Sequence, residues 1–230
     1  KLYLRLFYSS SLVLNVNKHA HFLNGYLLIC FFGLYYINSV RICMIIDYTA
    51  MILIIMGVSG CGKSTVGEAL SNQLEWTLLE ADDFHSKANK DKMSRGIPLT
   101  DGDREPWLID IHNHIKQLVS QNQHCVVTCS ALKQSYRNIL LYGTHHGQQH
   151  NSAIDDQSAL NTTFVYLKGS KEKLIKQIET RKNHFMPVTL LDSQLATLEE
   201  PTECRHVVMN IDRKIEDIVS SLVDYVHSIE

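Results

Sequence analysis

The consecutive residues Gly57-Val58-Ser59-Gly60-Cys61-Gly62-Lys63-Ser64-Thr65 carry the spacing G-x-x-x-x-G-K-[ST]. Glycines at three of these positions let the backbone curl until successive N–H groups converge on an anion, and Lys63 adds a positive charge for the outer phosphates of a nucleotide. The Ser64 hydroxyl suits Mg²⁺, a hard cation that prefers oxygen. An apolar run, Met51 to Met56, precedes the loop, and a helical pattern from about Gly62 to Leu74 follows it. The motif has this meaning only between a strand and a helix, whose N-terminal end adds positive potential at the same phosphates. The loop implies a bound nucleoside triphosphate and leaves its use open.

Phosphoryl transfer also needs a held metal and an acceptor hydroxyl aimed in line. Glu80 and Asp82 stand two apart where a second strand, Thr77–Glu80, runs out. Residues alternating by two share one strand face, so both carboxylates are expected toward the phosphates. One would serve Mg²⁺ and the other would accept the hydroxyl proton. The plainer alternative is a solvated acidic turn. The third strand runs into Cys129-Ser130 without a terminal aspartate, which makes the pair more necessary.

The elements that must position these groups alternate between strand-like and helix-like pieces. Strands are expected at Met51–Met56, Thr77–Glu80, His124–Cys129, Thr163–Leu167 and Arg205–Ile211. Helical patterns lie near Gly62–Leu74, Trp107–Ser120, Lys133–Leu141, Lys171–Arg181, Pro187–Leu198 and Asp212–Ser228. Such alternation argues an α/β fold, a doubly wound parallel five-stranded sheet with right-handed crossovers. Ligands then lie beyond the carboxyl ends of the strands, where Gly57 and Glu80–Asp83 both fall. Residues 143–161 read as a polar surface loop, with His145, His146 and His150 only loosely resembling a metal tract.

The chain has 230 residues, 45% hydrophobic and 20% charged, which is enough for one ordinary core. A net charge of −2 makes nucleic acid a poor partner. The six cysteines form no CxxC; Cys125 and Cys129 read as small core residues, and a reducing cytoplasm is the simplest setting. Cys61 lies at the helix N-terminus, where a thiol pKa falls. Residues 1–50 differ from the rest. They hold only Lys1, Arg5, Lys18, Arg41 and Asp47 as charges, and Phe22–Val40 approaches bilayer-spanning length. A membrane anchor, a targeting segment and a non-native extension compete here. Asn24, Asn38 and several tyrosines dilute the apolar run, and Met51 opens the loop strand, so an extension outside the working domain 51–230 is favoured, without membrane association.

A further block, Gly96-x-Pro98-Leu99-x-Asp101-x-Asp103-Arg104-x-Pro106-Trp107-Leu108, is too particular for a solvated face. With Cys129-Ser130-Ala131-Leu132-Lys133-x-x-Tyr136-Arg137, Tyr166-Leu167-x-Gly169, Arg181-x-x-His184-Phe185-Met186-Pro187 and Gln194-x-x-Thr197-Leu198-Glu199-x-Pro201, it resembles the gluconokinase family of small P-loop sugar-acid kinases. The resemblance runs from about Met51 to the C-terminus. It implies ATP-dependent phosphorylation of D-gluconate to 6-phosphogluconate in the cytoplasm, on a shikimate- or nucleoside-monophosphate-kinase-like fold with a small lid. Family members are often homodimers, though no surface stripe here marks an interface.

Carried over by matched position, Gly57 through Thr65 hold ATP, with Lys63 catalytic, and Ser64 and Glu80 serve Mg²⁺. Asp82 would act on the 6-hydroxyl, and Arg181, in the lid segment, would neutralise the transferring phosphoryl. Gluconate is an anion and needs cations, for which Arg104, Lys133 and Arg137 match, with His85 and His184 as polar contacts. Arg137 could equally be a structural residue. Two departures stand out: Glu80 replaces an expected aspartate, and Ser86 replaces a proline, loosening a turn. A GTPase would need Asn-Lys-x-Asp, but Asn89-Lys90-Asp91-Lys92 puts the acid one place early. The phosphate loop by itself would also suit a shikimate or nucleoside monophosphate kinase, or a non-enzymatic ATP-binding module.

Overall fold

The computed structural model describes residues 50–144, 159, 161–180 and 189–229, together with short strand pieces earlier in the chain. Contacts divide the chain into two units, 1–45 and 46–230. In the first, Leu4–Leu6 pairs antiparallel with Leu12–Leu14, and Phe22–Leu23 pairs with Tyr26–Leu27.

The second unit is built on strands β1 (Ile52–Met56), β2 (Thr77–Glu80), β3 (Cys125–Thr128), β4 (Thr162–Lys168) and β5 (His206–Asn210). All pair in parallel in the order β2-β3-β1-β4-β5, so the chain winds outward from β1 in both directions. A parallel strand buried on both faces should be apolar throughout, and every residue of β1 is buried. Alternate residues feed opposite cores. Ile52, Ile54 and Met56 pack with helices α3 (Asp101–Ser120) and α4 (Gln134–Tyr142), through Leu108, Ile111, Ile115 and Leu140. Leu53 and Ile55 pack on the other face with α1 (Lys63–Leu74) and the C-terminal helix, through Val66, Leu70, Ile218 and Leu222. Helices α2 (Lys87–Ser94), α5 (Lys171–Thr180), α6 (Thr189–Thr197) and α7 (Ile215–Ile229) complete the unit.

The doubly wound five-stranded sheet is as expected; three local readings change. Helix α3 begins at Asp101 rather than near Trp107, because Thr100 and Asp103 form a reciprocal capping box that places Pro106 inside the helix. The strand face does not carry on past Glu80: β2 ends there, and Ala81–Phe84 tightens into a 3₁₀ turn, so Asp82 is presented by that turn and not by strand alternation. Ser86 does not loosen its turn. Its hydroxyl accepts from the Asn89 N–H at 3.2 Å and caps α2. Cys125 and Cys129 are core residues, and burial pushes both thiols up to about 12. His145, His146, His150, Arg181 and His184 lie outside the described residues. Among the described residues no helix is long and apolar enough to cross a membrane.

Candidate active site

The chain leaves β1 through a loop in which Gly57, Gly60 and Gly62 all take the positive φ that favours glycine. Gly57 has φ 142°, and a Cβ there would come within 2.8 Å of Cys61 Sγ and 3.0 Å of the Leu167 carbonyl. Gly62, at φ 96°, is the N-cap of α1 and supplies no side-chain cap, so the first amides of the helix face the loop. Val58 and Cys61 are buried, which leaves the loop main chain, not those side chains, to meet a ligand. Lys63 Nζ donates to the carbonyls of Gly57 (3.0 Å) and Val58 (3.1 Å), folding the ammonium back over the loop. From across the cleft Gln194 of α6 accepts from the Ser59 N–H at 2.6 Å.

Ser64, on the first turn of α1, donates to Glu80 Oε2 at 3.2 Å, and the same carboxylate oxygen accepts from the Thr128 hydroxyl. Parallel pairing sets Glu80 opposite Thr128 at the carboxyl ends of β2 and β3. The additional methylene of glutamate is thus taken up in spanning from β2 to both hydroxyls. This all-oxygen group fits Mg²⁺, which binds by one or two carboxylates plus substrate phosphates rather than in an all-protein cage.

Asp82 projects from the 3₁₀ turn with its side chain 82% exposed, and it lines one cleft together with Lys63, His85, Arg104 and Gln194. His85 lies flat on Trp107, ring centroids 4.1 Å apart, and Trp107 Nε1 donates to the Ala81 carbonyl at 2.7 Å. Those two contacts tie the turn carrying Asp82 to α3. Burial holds the His85 pKa below its ordinary value against the opposing pull of Asp82, whose Oδ1 is 4.0 Å from Nε2.

The candidate cations divide. Arg104 lines the cleft; Lys133 and Arg137 do not. Lys133 Nζ is engaged by both oxygens of Asp101, at 2.9 and 2.8 Å. Arg137 is 3% exposed and donates to the carbonyls of Ala131 (3.0 Å) and Glu199 (3.0 Å). Its expected contact with an anionic substrate gives way to the structural alternative, because its guanidinium ties the β3–α4 connection to the segment after α6. Residues to which the sequence assigns no role also matter here. Thr128 is silent in the sequence because its partner follows from strand register. Asp101, Tyr136 and Gln194 stand inside the motif blocks, and those positions are their only signal.

A family model described as an AAA domain matches residues 52–201. A probable gluconokinase of Xenopus tropicalis is 47% identical over 174 residues, covering 75% of this chain and 91% of its own length. A gluconokinase of Gluconobacter oxydans is 42% identical over 167 residues, with 73% and 85% covered. Among solved structures, a gluconokinase from Sinorhizobium meliloti superposes with a TM-score of 0.60 at 34% identity, over 80% of this chain and 99% of that one.

Proposed function

The chain belongs to the gluconokinase family, and from that premise we propose how its own residues phosphorylate D-gluconate with ATP. The Gly57–Thr65 main chain and the N-terminus of α1 would cradle the phosphates, with Lys63 moving from the loop carbonyls to the outer phosphate oxygens. Ser64 and Glu80 would hold Mg²⁺, with Thr128 steadying the carboxylate. Bound metal supplies charge neutralisation between the phosphates. Arg104, which lines the same cleft, would receive the gluconate carboxylate. Asp82, which lines the same cleft, would take the acceptor's 6-hydroxyl. As that oxygen bonds to the γ-phosphorus, its proton passes to the Asp82 carboxylate and the β–γ bridging oxygen leaves with ADP. Arg181 and His184 belong to this reading as lid residues by motif position. A cytoplasmic setting goes with it, since Cys125 and Cys129 share a strand face as thiols. A homodimeric state is carried by the family resemblance alone.

The observation that carries the reading is the convergence on one cleft of a phosphate loop, an exposed carboxylate and an arginine. A coupled assay of ADP release with gluconate, shikimate and nucleoside monophosphates tests it. Turnover is expected with gluconate; turnover with a nucleotide acceptor and none with gluconate refutes it.

A further inference from the structure

Behind Arg104 lies a chain of polar side chains, Tyr136, Asp101 and Lys133, that do not themselves line the cleft. Arg104 Nη1 donates to the Leu99 carbonyl at 2.5 Å and to Tyr136 Oη at 3.3 Å. Tyr136 Oη donates in turn to Asp101 Oδ1, and Lys133 holds both oxygens of that carboxylate. A phenol has one proton, so a Tyr136 that donates to Asp101 must accept from Arg104, and the direction of the chain is fixed. Two cations lie over the Tyr136 ring, Arg104 Cζ 5.6 Å and Lys133 Nζ 5.5 Å from its centroid. Tyr136 is 2% exposed and sits on the first turn of α4, while Asp101 opens α3. A carboxylate there is favoured by the helix dipole.

The charges along this chain divide the labour. Lys133 and Asp101 cancel, so the net positive charge presented at this wall belongs to Arg104. Hydrogen bonding from Lys133 and Tyr136 holds the Asp101 carboxyl below its ordinary range, and Asp101 raises Lys133 in return. The pair therefore stays ionised together throughout the neutral range.

We propose that Tyr136 is a positioning residue for recognition of the acceptor's carboxylate. Braced by Asp101 and Lys133, it fixes the Arg104 guanidinium so that its planar fork is set for a monoanionic polyhydroxy acid. The proposal rests on Arg104 being the carboxylate's partner. An arginine held before the ligand arrives loses less side-chain freedom on binding, which raises affinity for the acid without touching the nucleotide. Lys133 acts through Asp101 and not by direct contact.

Tyr136→Phe in the full chain keeps the ring and its packing while removing the hydroxyl. The KM for gluconate should rise about tenfold, the size of one hydrogen bond to a charged group, with kcat and the KM for ATP within about twofold. Arg104→Lys keeps the charge and loses the fork; on that background Tyr136→Phe should add less than about twofold, because the brace then has nothing to hold. An unchanged gluconate KM, equal rises in both KM values, or fully additive losses overturn the proposal. Should Tyr136→Phe fail to fold, Asp101→Asn at its exposed position carries the same expectation, about threefold in gluconate KM, and no change there overturns it as well. Wild-type protein that turns over another acceptor and not gluconate refutes the function on which the brace depends, a result distinct from any of these.

Discussion

Glu80 and Asp82 are two positions apart and are held differently because their surroundings differ. Glu80 accepts from two hydroxyls, Ser64 and Thr128, and is fixed in place. Asp82 is largely exposed in the cleft, where an incoming hydroxyl can reach it. Asp82→Asn should therefore lower kcat by about 10²–10⁴, the usual worth of a positioned base, and leave ATP affinity by calorimetry nearly unchanged. A loss within about threefold would show that another group takes the proton. Residue types and spacing disclose this carboxylate pair, but not how each member is held. That depends on the 3₁₀ turn after β2 and on the β2–β3 register, neither of which a single sequence displays.

At the level of elements, α1 must lie close to β2 and β3 for Ser64 to meet Glu80 beside Thr128. Gly67 makes this approach possible: a Cβ there would fall 2.5 Å from Thr128 Cγ2. Thr128 is β-branched, buried and committed to Glu80, so it cannot rotate away cheaply. Gly67→Ala should destabilise the fold by about 1–3 kcal/mol by overpacking, partly offset by the better helix propensity of alanine, and the melting temperature should fall. Because the displaced residue braces Glu80, the Mg²⁺ concentration for half-maximal activity should rise as well. Buried strands are the most legible elements, β1 to within one residue, since continuous apolar runs between turn residues have few other uses. The start of α3 is harder to read, because Pro106 looks like a boundary while the capping box ahead of it is a quieter signal. Arg137 misleads for a related reason: an arginine in a motif looks like a ligand partner until its burial among carbonyls is seen.

For the whole chain, the family match begins at residue 52, and the compact unit containing the cleft spans 46–230. The start of β1 is fastened within that unit. The Ala50 N–H donates to Asn122 Oδ1 at 3.1 Å, and the Met51 N–H donates to His124 Nδ1 at 3.1 Å. We propose that residues 1–49 do not take part in catalysis, so a chain beginning at Ala50 should keep kcat/KM for gluconate within about twofold of the full chain. A large loss of activity with preserved folding would assign those residues a role in the reaction. The doubly wound character of the sheet is readable from alternation, whereas the strand order around β1 and the cleft walls, from α2, α3 and α6, depend on long-range packing.

Both tryptophans of the chain stack on histidines, and the two pairs sit at opposite ends of the sheet. Trp107 lies against His85 beyond the carboxyl end of β2, inside the cleft, while Trp76 and His124 immediately precede β2 and β3 at the other end. A protonated imidazole quenches indole emission far more than a neutral one, and burial keeps His85 on the neutral side. The fold consequently carries a built-in optical reporter in the cleft, and replacing Trp76, remote from it, would isolate that signal.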